Sequence, residues 1–462
     1  MVERSELQAV VAESAEGLEV PGVVVGVHHE GEEHYAVHGV TSIEHPLPVD
    51  ETTLFSIGST GKTFTGTALV RLAERGEVDL GAPVRTYAPE LRLKDESVAR
   101  DVTVLHLLNH TAGWGGDLEV DTGDGDDAVA RFVEAMADLD QVTPLGGIPS
   151  YNNAALVLAG RVIEKVTGGT YEAAIRDLLL GPLGLDHSFF EPNDVMTRRF
   201  AVGHQQHADG RIAVIRPWAP ARSVRPAGTL ASTAPDQIAW ARFHLGDGRS
   251  RSGDRVLSEE AVRSMQRPTT DPGLTECYGI TWMLRDVEGL GLVEHGGDGS
   301  GQHSAFAMAP ERDFAITVLT NCGPNGQELR GQLVRWALEA YLGVVERDPE
   351  PLELGEDELA AYTGSFETLA AVLHISVEGD GLLAVAELKP EAIAQEVEAG
   401  EEPPNPPPPF RLVMVAGGAD RYLVKDGPYQ GMQGYFVRDA GGTVEAVHVG
   451  RLATRVAEPA RA

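Results

Sequence analysis

Two strand-rich blocks stand far apart in this chain with a helical segment between them, and that spacing leaves few ways to build a sheet. The first block, Gly22-Val23-Val24-Val25-Gly26-Val27-His28 and Glu33-His34-Tyr35-Ala36-Val37-His38-Gly39 around Glu30-Gly31-Glu32, reads as a hairpin. The second contains four apolar runs, beginning at Gly279, Gly291, Ser304 and Phe314 and ending at Thr320. From Leu69 to about Ala241 helical spacing dominates, for example over Tyr151 to Val166. Strands from both ends must then meet across a helical insertion, which predicts an α+β unit: an antiparallel sheet flanked by helices, with an all-helical region. A helix from about Glu328 to Leu342 closes it.

Beyond this unit the period changes. Arg347-Asp348-Pro349-Glu350-Pro351 reads as a linker. Short apolar runs follow at 371–377, 381–385, 410–415, 421–424, 434–438 and 444–449, separated by Gly-rich turns, and predict a small antiparallel β-barrel. Glu401-Glu402-Pro403-Pro404-Asn405-Pro406-Pro407-Pro408-Pro409 reads as an extended loop between them. The expected boundaries are 1–346 for the first domain, 347–355 for the linker and 356–462 for the barrel.

A net charge of -33 repels nucleic acid and anionic membrane surfaces, so neither is an expected partner. A salt-rich cytoplasm and a GC-rich genome both account for such acidity. The start of the chain shows no basic segment followed by an apolar one, and no apolar run is long enough for a membrane span. With only Cys277 and Cys322 present, free thiols in the cytoplasm are the expectation. No histidine cluster has metal-ligand spacing, so no metal or cofactor is expected. The oligomeric state has no legible signal.

Lysine is scarce: Lys62, Lys94, Lys165, Lys389 and Lys425 are all there are, and only Lys62 has a serine three residues before it. Phe64, Ala68, Leu69, Leu72 and Ala73 recur at helical spacing from Ser59 onward, so residues 59 and 62 share a helix face. At a helix start, unpaired N–H groups favour an alkoxide and disfavour an ammonium, which fits a serine nucleophile with a lysine base. An N-cap serine followed by a solvated lysine fits the same residues. Further on, Tyr151-x-Asn153 opens a helix and is the only such pattern in the chain. A phenol there can relay a proton and the amide can orient a lysine or a substrate. A packed aromatic is the plainer reading.

Ser59-x-x-Lys62, Tyr151-x-Asn153 and a later His-x-Gly stand in the order found in penicillin-recognising serine hydrolases, and the chain resembles that family over roughly residues 5 to 345. Leu105-His106-Leu107-Leu108-Asn109-His110-Thr111-Ala112-Gly113 and Gly228-Thr229-Leu230-Ala231-Ser232-Thr233 look like the same family. His29, His244, His295 and His448 all begin His-x-Gly, but only His295 ends a predicted strand, leads into Gly297-Asp298-Gly299-Ser300-Gly301 and precedes another strand. His448 belongs to the other domain. The C-terminal block, from Glu358 to Phe366 onward, resembles the lipocalin-like domain that often lies against the cleft of these enzymes.

The resemblance implies a β-lactamase/transpeptidase-like fold and metal-independent acyl transfer from an ester or amide, D-amino-acid peptides included. It makes Ser59 the nucleophile, Lys62 its base, and Tyr151, Asn153 and His295 the proton relay. The backbone N–H groups of Ser59 and Asp298, the latter following Gly297, would form the oxyanion hole. Esterase, D-aminopeptidase, penicillin-binding-protein-type thioesterase or macrocyclase, weak β-lactamase and non-catalytic sensor all remain open, with a small molecule or peptide as substrate. Histidine stands where β-lactamases usually carry lysine, so the permanent cation that holds a substrate carboxylate is expected to be missing. Glu294 and Asp298 beside it suggest substrates bearing an amine.

Overall fold

The structure, a computed structural model, describes residues 2–456 apart from 119, 208, 219, 272–276, 399–405 and 419. Helix α1 (Arg4–Gly17) leads into β1 (Gly22–His29) and β2 (Glu32–Gly39), the hairpin expected from its paired apolar runs. Helix α2 (Lys62–Glu74) follows, then α3 (Asn153–Thr167) and α4 (Ala234–Leu245). Strands β3 (Cys277–Tyr278), β4 (Met283–Val287), β5 (Leu290–Gly299), β6 (Gln302–Ala309) and β7 (Phe314–Thr320) come next, and α5 (Asn325–Leu342) ends the unit.

The sheet runs β2-β1-β7-β6-β5-β4-β3 with every neighbour antiparallel. The two chain ends meet at β1 and β7, where Val24 faces Leu319 and Val25 faces Val318. Both faces are covered, which is why β1 is almost uninterruptedly apolar instead of alternating. Val23 and Val25 pack with Leu7, Val11, Leu329 and Leu333 of α1 and α5. Val24 and Leu319 turn to the opposite face, toward Phe64, Leu156 and Trp240 of α2, α3 and α4. Helix α2 is therefore central to this larger core and is buried along nearly its whole length. Phe64 stacks on Trp240 with ring centroids 4.0 Å apart, and Trp240 Nε1 donates to Thr63 Oγ1 at 3.1 Å, so the helix start is pinned to α4.

Eight further strands close into a barrel: β8 (Gly364–Glu367), β9 (Ala371–Glu378), β10 (Gly381–Leu388), β11 (Phe410–Met414), β12 (Arg421–Val424), β13 (Gln433–Arg438), β14 (Val444–His448) and β15 (Leu452–Arg455). Six match the runs read from the sequence. The short β8 and β15 were not legible as strands, yet their pairing, Phe366 to Arg455, closes the cylinder. Phe366, Leu382, Leu412, Tyr422, Phe436 and Val447 fill the interior, as an eight-stranded barrel allows. Most of the proline-rich loop, residues 401–405, lies outside the described residues. Among the described residues no helix is long and apolar enough to cross a membrane.

Candidate active site

Ser59 sits in a 3-10 turn, Gly58–Gly61, that feeds α2 at Lys62. The sequence placed Ser59 at the start of the α-helix itself. In the tighter turn residues three apart eclipse, so the hydroxyl and the amine still stack. Lys62 Nζ lies 2.9 Å from Ser59 Oγ and 2.5 Å from the Ala227 carbonyl oxygen. The lysine is fully buried. Burial holds its pKa well below the ordinary value and the Arg451 charge adds to this, against smaller opposing effects of Asp117 and Asp298. Lys62 Nζ donates both to the Ala227 carbonyl and to Ser59 Oγ, so amine and hydroxyl are in direct contact.

Tyr151 and Asn153 are placed by the residue between them. Asn152 caps α3, its side chain accepting from the Ala155 N–H at 2.8 Å and donating to the Trp114 carbonyl at 2.8 Å. Its own N–H donates to His110 Nδ1 at 3.0 Å, and the His110 ring stacks on Tyr151 with centroids 4.4 Å apart. The Tyr151 hydroxyl is hydrogen-bonded to Ser59. Burial raises the phenol pKa despite that bond and the Arg451 charge, so at neutral pH it carries its proton. Asn153 Nδ2 donates to Asp117 at 2.8 Å.

His295 lies on β5, 2% exposed, its ring 6.1 Å from that of Tyr151. Nδ1 donates to the Gly296 carbonyl at 2.6 Å, because a carbonyl can only accept, and this leaves Nε2 as an acceptor. Burial, aided by Lys62, pushes the imidazole down to about 3, so it is neutral. Three residues on, Asp298 brings its backbone against the Ser59 turn. Gly58 has φ +50, and a Cβ there would sit 2.6 Å from the Asp298 nitrogen. Only glycine lets these segments approach so closely, and the approach brings the Ser59 and Asp298 backbones together.

The acidic neighbours of His295 are both engaged. Glu294 accepts from Arg285 at 2.8 Å. The Asp298 carboxylate accepts from His303 Nδ1 at 2.6 Å, from Gln327 at 3.1 Å and from Arg330 at 3.2 Å. Burial alone would raise the Asp298 pKa, but His303 and Arg330 outweigh it and hold the carboxylate ionised. The expectation of an amine-bearing substrate therefore loses its basis.

A cation is present after all, and it comes from the barrel. Arg451, between β14 and β15, lies with its guanidinium carbon 4.6 Å from the Tyr151 ring centre. Nε and Nη2 donate to Asp117 at 2.5 and 2.9 Å, and Asp117 in turn holds Asn153. The next residue, Leu452, donates its N–H to Ser150 Oγ at 3.2 Å. Leu369, between β8 and β9, fills the space a Cβ at Gly115 would need. His295 itself carries no charge at neutral pH, and the cation beside Tyr151 comes from a residue 156 positions later in the chain. Arg451 directly follows His448-Val449-Gly450, the His-x-Gly match of the C-terminal domain. Asp117 carried no motif of its own.

The family profile described as Beta-lactamase matches residues 7–341. Penicillin-binding protein 4 of Amycolatopsis lactamdurans is 33% identical over 359 residues, which is 75% of this chain and 93% of that protein. The crystal structure of SurE superposes with a TM-score of 0.76 at 25% identity, covering 98% of this chain and 99% of that one. SurE has also been solved with D-Leu, TM-score 0.73. A class C β-lactamase from Rhodobacter sphaeroides matches at TM-score 0.58 and 25% identity over 72% of this chain and 99% of its own. The chain belongs to the beta-lactamase family, the penicillin-recognising serine hydrolases.

Proposed function

We propose that the protein cleaves or transfers acyl groups through an ester on Ser59, with D-amino-acid peptides as the preferred substrate class. The observation that carries this is the Ser59 hydroxyl held 2.9 Å from a fully buried Lys62 whose charged form is disfavoured. Lys62 takes the hydroxyl proton as Ser59 Oγ bonds to the substrate carbonyl carbon, and the carbonyl electron pair moves onto oxygen, facing the Ser59 and Asp298 N–H groups. As the tetrahedral adduct collapses, the bond to the leaving amine or alcohol breaks and Tyr151 gives that group its proton. Lys62 returns a proton to Tyr151. Water or an amine then attacks the ester by the reverse path. His295 places a neutral Nε2 acceptor, buried and without a hydrogen-bond partner among the described residues, in the neighbourhood of Tyr151.

Arg451 supports a substrate with a carboxylate near the scissile bond. Nε and Nη2 face Asp117, and Nη1 has no hydrogen-bond partner among the described residues. The D-Leu bound in the SurE structure fits the same class of ligand. A second reading, β-lactam turnover, gains from the same guanidinium, since it restores the cation that His295 does not provide. An active-site fluorophosphonate and a panel of N-acylated peptides ending in a D- or an L-amino acid with a free carboxylate, p-nitrophenyl esters and nitrocefin test both. We expect Ser59-dependent labelling and faster turnover of the peptides ending in a D-amino acid. Equal labelling of Ser59→Ala removes the acyl-enzyme, and turnover of nitrocefin alone selects the second reading.

A further inference from the structure

We infer that Arg330, on α5 behind the sheet, is a positioning residue for the oxyanion hole, acting through a single peptide bond. This rests on the proposed role of the Asp298 N–H. The carbonyl of Gly297 and the N–H of Asp298 belong to one planar, trans peptide, so they point in opposite directions. The N–H edge faces the Ser59 turn, where the Asp298 nitrogen lies within 2.6 Å of the Cβ position at Gly58. The opposite edge is held by Arg330: Nη1 donates to the Gly297 carbonyl at 2.8 Å.

The same Nη1 donates to the Ser304 carbonyl at 2.8 Å, and Nη2 to the Asp298 carboxylate at 3.2 Å. One guanidinium therefore fixes the peptide, the residue after it and the adjacent strand β6 together. Gln327 and His303 complete the grip on Asp298, at 3.1 and 2.6 Å. Two effects follow. The plane of the peptide is fixed, so its N–H is aimed before substrate arrives. A charged donor on the carbonyl also draws electron density toward oxygen, which makes the N–H on the other side a stronger donor, as hydrogen bonds in series do. Such an effect grows with negative charge on the bound oxygen, so it belongs to the transition state and not to ground-state binding. Ser304 links the two edges of the site, because its Oγ donates to the Ile57 carbonyl at 2.8 Å and lies 2.9 Å from Thr60 Oγ1, on either side of Ser59.

The test compares Arg330→Met, Arg330→Gln and Arg330→Lys in the full-length protein, reading kcat and KM for a p-nitrophenyl ester and the second-order rate of fluorophosphonate labelling. Losing one oxyanion donor outright costs about 10²–10³ in kcat. A donor that is present but neither aimed nor polarised is expected to cost about tenfold, in kcat and in labelling rate alike, with KM within about threefold. Arg330→Lys, which keeps the charge but has no planar fork, is expected to fall between wild type and Arg330→Met. It also keeps the test decisive should the methionine variant not fold. A folded variant with unchanged kcat, or one losing through KM alone, overturns the inference. If instead wild-type protein fails to label, or Ser59→Ala labels equally, the acyl-enzyme reading itself falls, so the two failures are distinct.

Discussion

Replacing Arg451 by methionine removes a charge from the neighbourhood of the proposed base while leaving every residue of the Ser59 turn untouched. Lys62 Nζ lies 4.8 Å and the Arg451 guanidinium carbon 4.6 Å from the Tyr151 ring centre, so the two are at most about 9.4 Å apart. At an effective dielectric of about 20, their repulsion across that distance is about 1.8 kcal/mol. Burial is the larger cause of the lowered Lys62 pKa and Arg451 adds to it, so in the absence of Arg451 burial alone opposes the attraction of Asp117 and Asp298 for the ammonium. A base works only when unprotonated, so activity rises with pH through the Lys62 titration. Losing a nearby positive charge must move that rise to higher pH, by about one pH unit. The assay is the pH profile of kcat/KM for a neutral p-nitrophenyl ester, which has no carboxylate for Arg451 to hold. Arg451→Lys, keeping the charge, is expected to stay close to wild type. An acidic limb that does not move in Arg451→Met, or that moves to lower pH, refutes the electrostatic argument.

His295 titrates near 3 when folded, against about 6.5 when unfolded, so between those values the unfolded chain binds a proton the folded one does not. Stability should fall as pH drops through that window. Urea midpoints of His295→Asn should decline less steeply with acid, by about 1.4 kcal/mol per pH unit, and identical slopes would contradict this. Gly58→Ala puts a Cβ 2.6 Å from the Asp298 nitrogen at a φ of +50. Its kcat is expected to drop about 10²–10³-fold as the oxyanion donors part, and a variant with native kcat would show that the close approach is dispensable.

The hydrolase sheet was legible because its constraint is crude: apolar runs from two distant segments must share one surface. The same holds for Ser59, Lys62, Tyr151, Asn153 and His295, each placed on a turn, a helix start or a strand, although His295 was expected to end its strand and that strand runs four residues further, to Gly299. What could not be read is whatever depends on two units touching. Arg451 has no spacing relation to Asp117, and it becomes informative only when β14 and β15 bring it over Tyr151. The strands β8 and β15 escaped for a related reason. At four residues each, they are specified by closure of the barrel more than by their own pattern.

Closure also sets an order of events. Ser59 and Lys62 lie early in the chain, whereas Arg451 comes one residue before β15, the strand whose pairing with β8 completes the cylinder. A chain made from its N-terminus acquires the hydroxyl and the amine first and the guanidinium only after seven of the eight barrel strands. Until β15 is in place, Asp117 lacks the cation that balances it and Tyr151 lacks the charge above its ring. A chain cut before Arg451 would therefore hold the Ser59 and Lys62 pair without the guanidinium that lies over Tyr151 and pairs with Asp117.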